Sequence, residues 1–240
     1  MDKVEFSIGN EKKFHAFISG LDKKDKIALL CHTDLDGIAS AKIIEYVIRP
    51  DMVKFLDYRS LNNALIEELK NKKINKVIFA DLNLESTEFL SEVEKFAEIL
   101  IIDHHIYAKD LNSDRKTFLS ATGYCAAYIC YYMFSKIKEI EKFDWLVAAA
   151  SISDFCYEKN RRWLDKVCKK YGEIFDPSDL TKKNRIYDLA LKLSLTALFF
   201  KGKVDEAYKL IGDNIEDVAN LENYAKDVWN EIEYSMAKFE

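Results

Sequence analysis

Short apolar runs alternate with helical patterns through the first hundred residues. Ile27-Ala28-Leu29-Leu30-Cys31 predicts a strand over 26–31, and Met52-Val53-Lys54-Phe55-Leu56-Asp57 a second over 52–57. Val77-Ile78-Phe79-Ala80 predicts a third over 76–80, and Glu98-Ile99-Leu100-Ile101-Ile102 a fourth over 98–102. Each is the right length for a strand buried on both sides. Helical periodicity precedes or separates them. Residues 10–21 place Phe14, Phe17, Ile18 and Leu21 on one face. A helix begins near Gly37, with Ile38, Ala41, Ile44, Tyr46 and Ile48 inward, and Pro50 stops it. Residues 61–71 turn Leu61, Ala64, Leu65 and Leu69 inward. Residues 86–97, opened by Ser86, do the same with Phe89, Leu90, Val93 and Phe96.

Strands and helices in strict alternation with short connections predict an α/β fold, a parallel sheet covered by helices on both faces. Beyond Tyr107 the pattern changes. A polar loop runs to about Ser120, and helices follow over about 122–138 and 143–152. Only helical patterns remain after that, at about 161–171, 184–201, 203–212 and 214–239. The expected organisation is a catalytic α/β domain over 1–158 and an all-helical C-terminal region over 159–240.

In a parallel sheet ligands bind outside the carboxyl ends of the strands. Three of the four predicted strands end in candidate metal ligands. His32-Thr33-Asp34-Leu35-Asp36-Gly37 follows the first, Asp81 the third, and Asp103-His104-His105 the fourth. A fourth carboxylate, Asp154, follows the apolar stretch Trp145-Leu146-Val147-Ala148-Ala149-Ala150, where a charge is costly unless it caps, is exposed or binds a cation. In an extended segment Asp34 and Asp36 would point the same way. Gly37 would turn the backbone into a helix whose N-terminus can hold a phosphate. Carboxylates and imidazoles without thiolates suit Mn²⁺, with Mg²⁺ as a substitute, better than structural zinc. Two such ions ~3.5–4 Å apart would clamp a phosphoryl group, with Asp81 as the natural bridge. His15 lies away from these runs and reads as a solvated histidine.

Composition narrows the picture. A hydrophobic fraction of 49% allows a real core, and a net charge of −5 argues against gripping duplex nucleic acid by bulk charge. Ions at the site would still supply local positive charge for nuclease chemistry. Five cysteines, an odd number without a C-x-x-C pair, suit reduced thiols in the cytoplasm. No signal-peptide pattern opens the chain, and no apolar run nears the ~20 residues of a membrane span. Arg161, Arg162, Lys166, Lys169 and Lys170, with Trp163 and Tyr171, read as a solvated amphipathic helix in preference to a nucleic-acid groove.

The four motif pieces, spread over residues 27–154, resemble the DHH phosphoesterases, as does Ser120-Ala121-Thr122-Gly123-Tyr124-Cys125 leading into a helix. That superfamily includes RecJ-type single-strand exonucleases, oligoribonucleases, cyclic-dinucleotide phosphodiesterases and family II pyrophosphatases. The resemblance implies a Rossmann-like catalytic domain and a manganese-dependent, two-metal phosphoesterase. Asp34 and Asp81, helped by His32, would hold one ion; Asp36, Asp81, His104 and Asp154 would hold the other. His105 would face the substrate phosphate, and Asp103 would orient a ligand histidine. Arg59 is a further candidate phosphate contact.

Two departures bear on the substrate. The first motif reads H-x-D-x-D-G, with Leu30 where the pyrophosphatase and oligoribonuclease branches carry histidine, which resembles the RecJ-type and archaeal branches. No histidine follows His105, and no glycine cluster matches the family's C-terminal substrate motif. The substrate-binding domain is thus absent, replaced, or outside this piece of chain. The expected substrate is single-stranded nucleic acid or a short oligonucleotide, with replication or repair proteins as partners and no membrane. Alternatives are a small-substrate phosphatase, a cyclic-dinucleotide phosphodiesterase, or a non-catalytic scaffold of the replication machinery.

Overall fold

The computed structural model describes residues 3–238 except 86, 87 and 180. Among the described residues five strands form one sheet: β1 (Ile27–His32), β2 (Met52–Leu56), β3 (Lys76–Ala80), β4 (Glu98–Asp103) and β5 (Lys116–Ser120). All pairings are parallel, in the order β2-β1-β3-β4-β5. The chain steps one way from β1 to β2, then returns to place β3 on the other side of β1. That reversal opens a crevice beyond the carboxyl ends of β1 and β3, the usual ligand position in such sheets.

Strand residues alternate between two cores. Leu29, Cys31, Ile78, Ala80, Leu100 and Ile102 face one apolar cluster; Ala28, Leu30, Val77, Phe79, Ile99 and Ile101 face the other. The second core is closed by α3 (Asn63–Asn71) and α4 (Glu88–Glu94). The first is closed by α1 (Glu11–Ser19), α2 (Leu35–Ile48), α5 (Ala126–Phe134) and α6 (Asp144–Ser153). It continues through α7 (Arg161–Lys170), α8 (Arg185–Phe199) and α9 (Val204–Leu210). The last helix is α10 (Glu222–Met236), packed on α8. Helices α7 to α9 therefore share one hydrophobic core with the sheet, while Ala225 and Val228 of α10 form a small separate cluster with Leu195.

Three local expectations need correction. Residues 116–120 are not loop but β5, paired to β4 and bridged by Ile8 at Ser120. With only Phe118 and Leu119 apolar, this edge strand is too short to show a pattern of its own. Helix α2 is buried around most of its circumference, Ala39 and Ile43 included, because α5 and α6 cover the side that the sheet does not. In α3 Ala64 is exposed and Ile66 is buried in its place. Ser86, the expected opening of the fourth helix, lies outside the described residues. Among the described residues no helix is long and apolar enough to cross a membrane.

Candidate metal centre

The first motif is split by a helix boundary. Asp34 is the N-cap of α2, extended in backbone, and its Oδ1 accepts the Gly37 N–H at 3.0 Å. Asp36 already lies in the first helical turn, so the two carboxylates are not side by side on an extended segment. Asp36 instead points into the protein. Its Oδ2 accepts the Ala126 N–H and its Oδ1 the Ala127 N–H, each at 2.7 Å, which satisfies the open N-terminus of α5. Gly37 serves close approach: a Cβ there would lie 2.2 Å from the His32 carbonyl oxygen. The α2 N-terminus is occupied by the Asp34 side chain, so the expected phosphate seat is already filled.

Asp81 follows β3 with a left-handed backbone (φ 61°), a conformation that costs a non-glycine residue about 1–3 kcal/mol. Its carboxylate is 2% exposed and faces two histidines. Oδ1 lies 3.3 Å from His104 Nε2, and Oδ2 lies 3.8 Å from His32 Nδ1. His32 Nδ1 meets Asp34 Oδ2 at 2.7 Å. His104 Nε2 also lies 3.5 Å from Asp154 Oδ2 and 3.8 Å from Asp36 Oδ2. Asp154 reaches this point as the C-cap of α6. Two nests result, His32–Asp34 and His104–Asp154, with Asp81 between them.

Asp103 is fully buried and binds around itself. Its Oδ1 meets His105 Nδ1 and the His104 N–H, each at 2.8 Å. Its Oδ2 accepts the Tyr107 hydroxyl. It thus orients His105, not the ligand candidate His104. Sequence patterns do not point to Tyr107; it also accepts the Leu84 N–H and lies 3.1 Å from the Leu82 carbonyl oxygen, tying the β4 end to the β3 end. Cys156 is a second neighbour without a sequence signal, with Sγ 3.8 Å from His104 Nδ1 and within 4.8 Å of an Asp154 oxygen, so a thiol borders a site expected to hold only carboxylates and imidazoles. Only the geometry reveals either residue, since a tyrosine four positions after Asp103 and a thiol two after Asp154 have no spacing that marks them.

The electrostatics are those of crowded carboxylates. Burial pushes Asp36 up to about 7, opposed by His104 and reinforced by the charges of Asp154 and Asp34. Burial, then the charges of Asp36 and Asp34, raise Asp81 well above the carboxylate range. Burial also raises Asp154. Burial works against charged Asp34 too, but the His32 hydrogen bond and charge outweigh it and hold the carboxyl at about 2. The Asp34 and Asp103 hydrogen bonds raise His32 and His105 respectively. Asp81 Oδ2 and Asp154 Oδ2 are buried and accept no hydrogen bond among the described residues. Orphaned carboxylate oxygens next to imidazoles, with their mutual repulsion unrelieved by a lysine or arginine pair among the described residues, fit hard divalent cations. His32, Asp34 and Asp81 offer ligand atoms within 4.8 Å of one another, as do Asp81, Asp103, His104 and His105.

A family model described as "DHH family, N-terminal domain" matches residues 26–153. The chain belongs to the DHH family. Comparison with curated proteins found no match by sequence. Among solved structures this DHH protein is similar to exonuclease RecJ bound to manganese, with a TM-score of 0.71 at 12% identity over 98% of this chain and 69% of that one. RecJ in complex with Mn²⁺ from Thermus thermophilus gives a TM-score of 0.64 at 12% identity, over 95% of this chain and 39% of that one. CDC45 from Entamoeba histolytica gives 0.53 at 15% identity, over 92% and 58%. At these identities the likeness is one of fold.

The remaining candidates separate. Arg59 is exposed in a 3-10 turn (Tyr58–Ser60) after β2, on the same edge of the DHH sheet as His32, whose ring lies 6.1 Å from that of Tyr58. His15 packs edge-on against Phe14, apart from the motif residues. In α7, Trp163 and Val167 are buried and Trp163 packs against Tyr128 and Tyr131. Lys170 pairs with Asp144 at 2.7 Å. This is an amphipathic helix with its aromatic side in the core.

Proposed function

We propose that this DHH protein is a manganese-dependent, two-metal phosphoesterase of the RecJ type, acting on single-stranded nucleic acid or short oligonucleotides. The observation that carries the reading is the Asp81 carboxylate, with Oδ1 toward His104 and Oδ2 toward His32. Asp34, with His32, would hold one Mn²⁺; His104, Asp154 and Asp36 would hold the other. Bound ions would supply Lewis acidity to the phosphoryl oxygens and activate the attacking water. Asp36 would contribute through the lone pairs that its bonds to α5 leave free. His105, held by Asp103, whose hydrogen bond raises its pKa, would face the substrate phosphate and stabilise its developing charge. Arg59 would steer the substrate from the β2 edge. Residues 1–158 would form the catalytic unit, and 159–240 would complete its walls. Five free cysteines suit a reducing, cytoplasmic setting.

The test is an assay of purified protein with Mn²⁺, and with Mg²⁺, on labelled single strands, dinucleotides, cyclic dinucleotides and pyrophosphate, beside Asp34→Ala. Turnover of single strands that the variant lacks supports the reading. Turnover confined to cyclic dinucleotides or pyrophosphate moves the protein to another branch, and none above the variant defeats the enzyme reading in favour of a scaffold.

A further inference from the structure

A cavity of about 460 Å³ opens beside the metal centre, along the seam between the sheet edge and the C-terminal helices. Thr33 and Asp34 line it from the β1–α2 loop, Phe55 from β2, and Leu198 from α8. Lys201 and Lys203 line it from the turn between α8 and α9. Asp34 therefore belongs to both the cavity and the His32–Asp34–Asp81 nest. The volume falls in the ~300–1,000 Å³ of small-molecule sites, which favour such seams.

From this lining we infer that the cavity is a nucleotide subsite that receives one nucleoside with its phosphate. The inference rests on the phosphoesterase reading only for which bond is cut. Three features select the ligand. Phe55 is half-buried, backed by the Tyr208 ring at 5.0 Å, and with Leu198 it gives an apolar, partly aromatic wall for a base. Lys201 and Lys203 are exposed, Lys203 lying 3.7 Å from Glu206, so both ammonium groups can swing onto a phosphate. Asp57 and Asp205 also line the cavity, and the Asp57 carboxylate accepts the Ser60 N–H at 2.9 Å. These acids offset the lysines and disfavour a compact polyanion such as pyrophosphate, leaving the apolar wall to supply selectivity.

The chain thus builds from α8 and α9 a substrate wall in place of a glycine-rich C-terminal motif. With a nucleoside seated there, the linking phosphate reaches the metal centre at Asp34. Water adds to phosphorus, the bond from phosphorus to the neighbouring nucleoside oxygen breaks, and that oxygen leaves with a proton. The products are a phosphomonoester and an alcohol.

Calorimetric titration of the full chain with a nucleoside 5′-monophosphate, inorganic phosphate and pyrophosphate tests this, using Leu198→Trp to fill the cavity and Lys201→Glu/Lys203→Glu to reverse its charge. The nucleotide should bind at least about tenfold tighter than inorganic phosphate, and each variant should lose about tenfold or more. Mn²⁺ affinity should be unchanged in both, which also shows that they are folded; the exposed lysines are not part of the core. Nucleotide affinity unchanged in either variant, or matched by inorganic phosphate or pyrophosphate, overturns the subsite. Hydrolysis of bis(4-nitrophenyl) phosphate by the parent separates the two readings. Nucleotide binding that depends on Leu198 without any hydrolysis removes the phosphoesterase and leaves the subsite. Hydrolysis with variant-independent nucleotide binding does the reverse.

Discussion

Asp103 Oδ1 lies 2.8 Å from His105 Nδ1, and the other oxygen of the same carboxylate takes the Tyr107 hydroxyl. The carboxylate is fully buried, so the imidazole is held from behind by a fixed charge. Asp103→Asn should lower the His105 pKa, because the Asp103 hydrogen bond and charge are what raise it. An NMR pH titration of the His105 ring reads this directly; an unmoved midpoint would mean that Asp103 does not set it. On the proposed phosphoesterase reading, turnover should fall as well, because His105 loses both its orientation and its charge.

Gly37 has no room for a side chain. A Cβ would meet His32 backbone oxygen at 2.2 Å and carbon at 2.7 Å, and backbone cannot swing aside as a side chain can. Gly37→Ala should cost about 1–3 kcal/mol as overpacking and pull His32 from Asp34. Gly20→Ala is the control, since its nearest contacts are at 3.4 Å. Thermal melts of both variants check this; equal melting temperatures would contradict it.

Much of this arrangement was legible in the chain. Apolar runs of strand length fixed β1 to β4, and a carboxylate or imidazole after three of them had to fall on one sheet edge. What stayed hidden were contacts without a local pattern. β5 has two apolar residues and gains its order from Ile8 and β4. Asp34 and Asp36 looked alike in an extended frame; only the helix boundary between them shows that one faces His32 while the other binds the α5 backbone. Tyr107 and Cys156 enter through tertiary packing alone.

Metal-free protein should be less stable as pH rises. Asp36, raised to about 7, and Asp81 and Asp154, also raised, keep protons in the native state that the unfolded chain has released. Such groups stabilise the fold at low pH and lose that contribution as pH climbs through their native values. His32 and His105 are raised as well, and theirs is likewise lost as pH climbs through the native values. Asp34, at about 2, keeps its contribution above the ordinary carboxylate range and loses it only in strong acid. The melting temperature without metal should fall from about pH 5 to about pH 8, and Mn²⁺ should cancel the fall by displacing the protons. A rise over that range without metal would contradict the crowding of carboxylates.

Asp81→Asn keeps the shape, and asparagine tolerates the left-handed backbone. A neutral amide has no proton to retain against burial and the charges of Asp36 and Asp34, so the metal-free variant should melt higher than the parent at pH 8. The same variant should show no added stability with Mn²⁺. A variant that still gains stability from Mn²⁺ would place the ions elsewhere.

The most direct measurement is anomalous scattering at the manganese edge from crystals grown with Mn²⁺. A two-ion centre on Asp81 should give two peaks, one against His32 and Asp34, the other against His104 and Asp154, both next to the Asp81 carboxylate. A single peak, or peaks that do not touch Asp81, would contradict it.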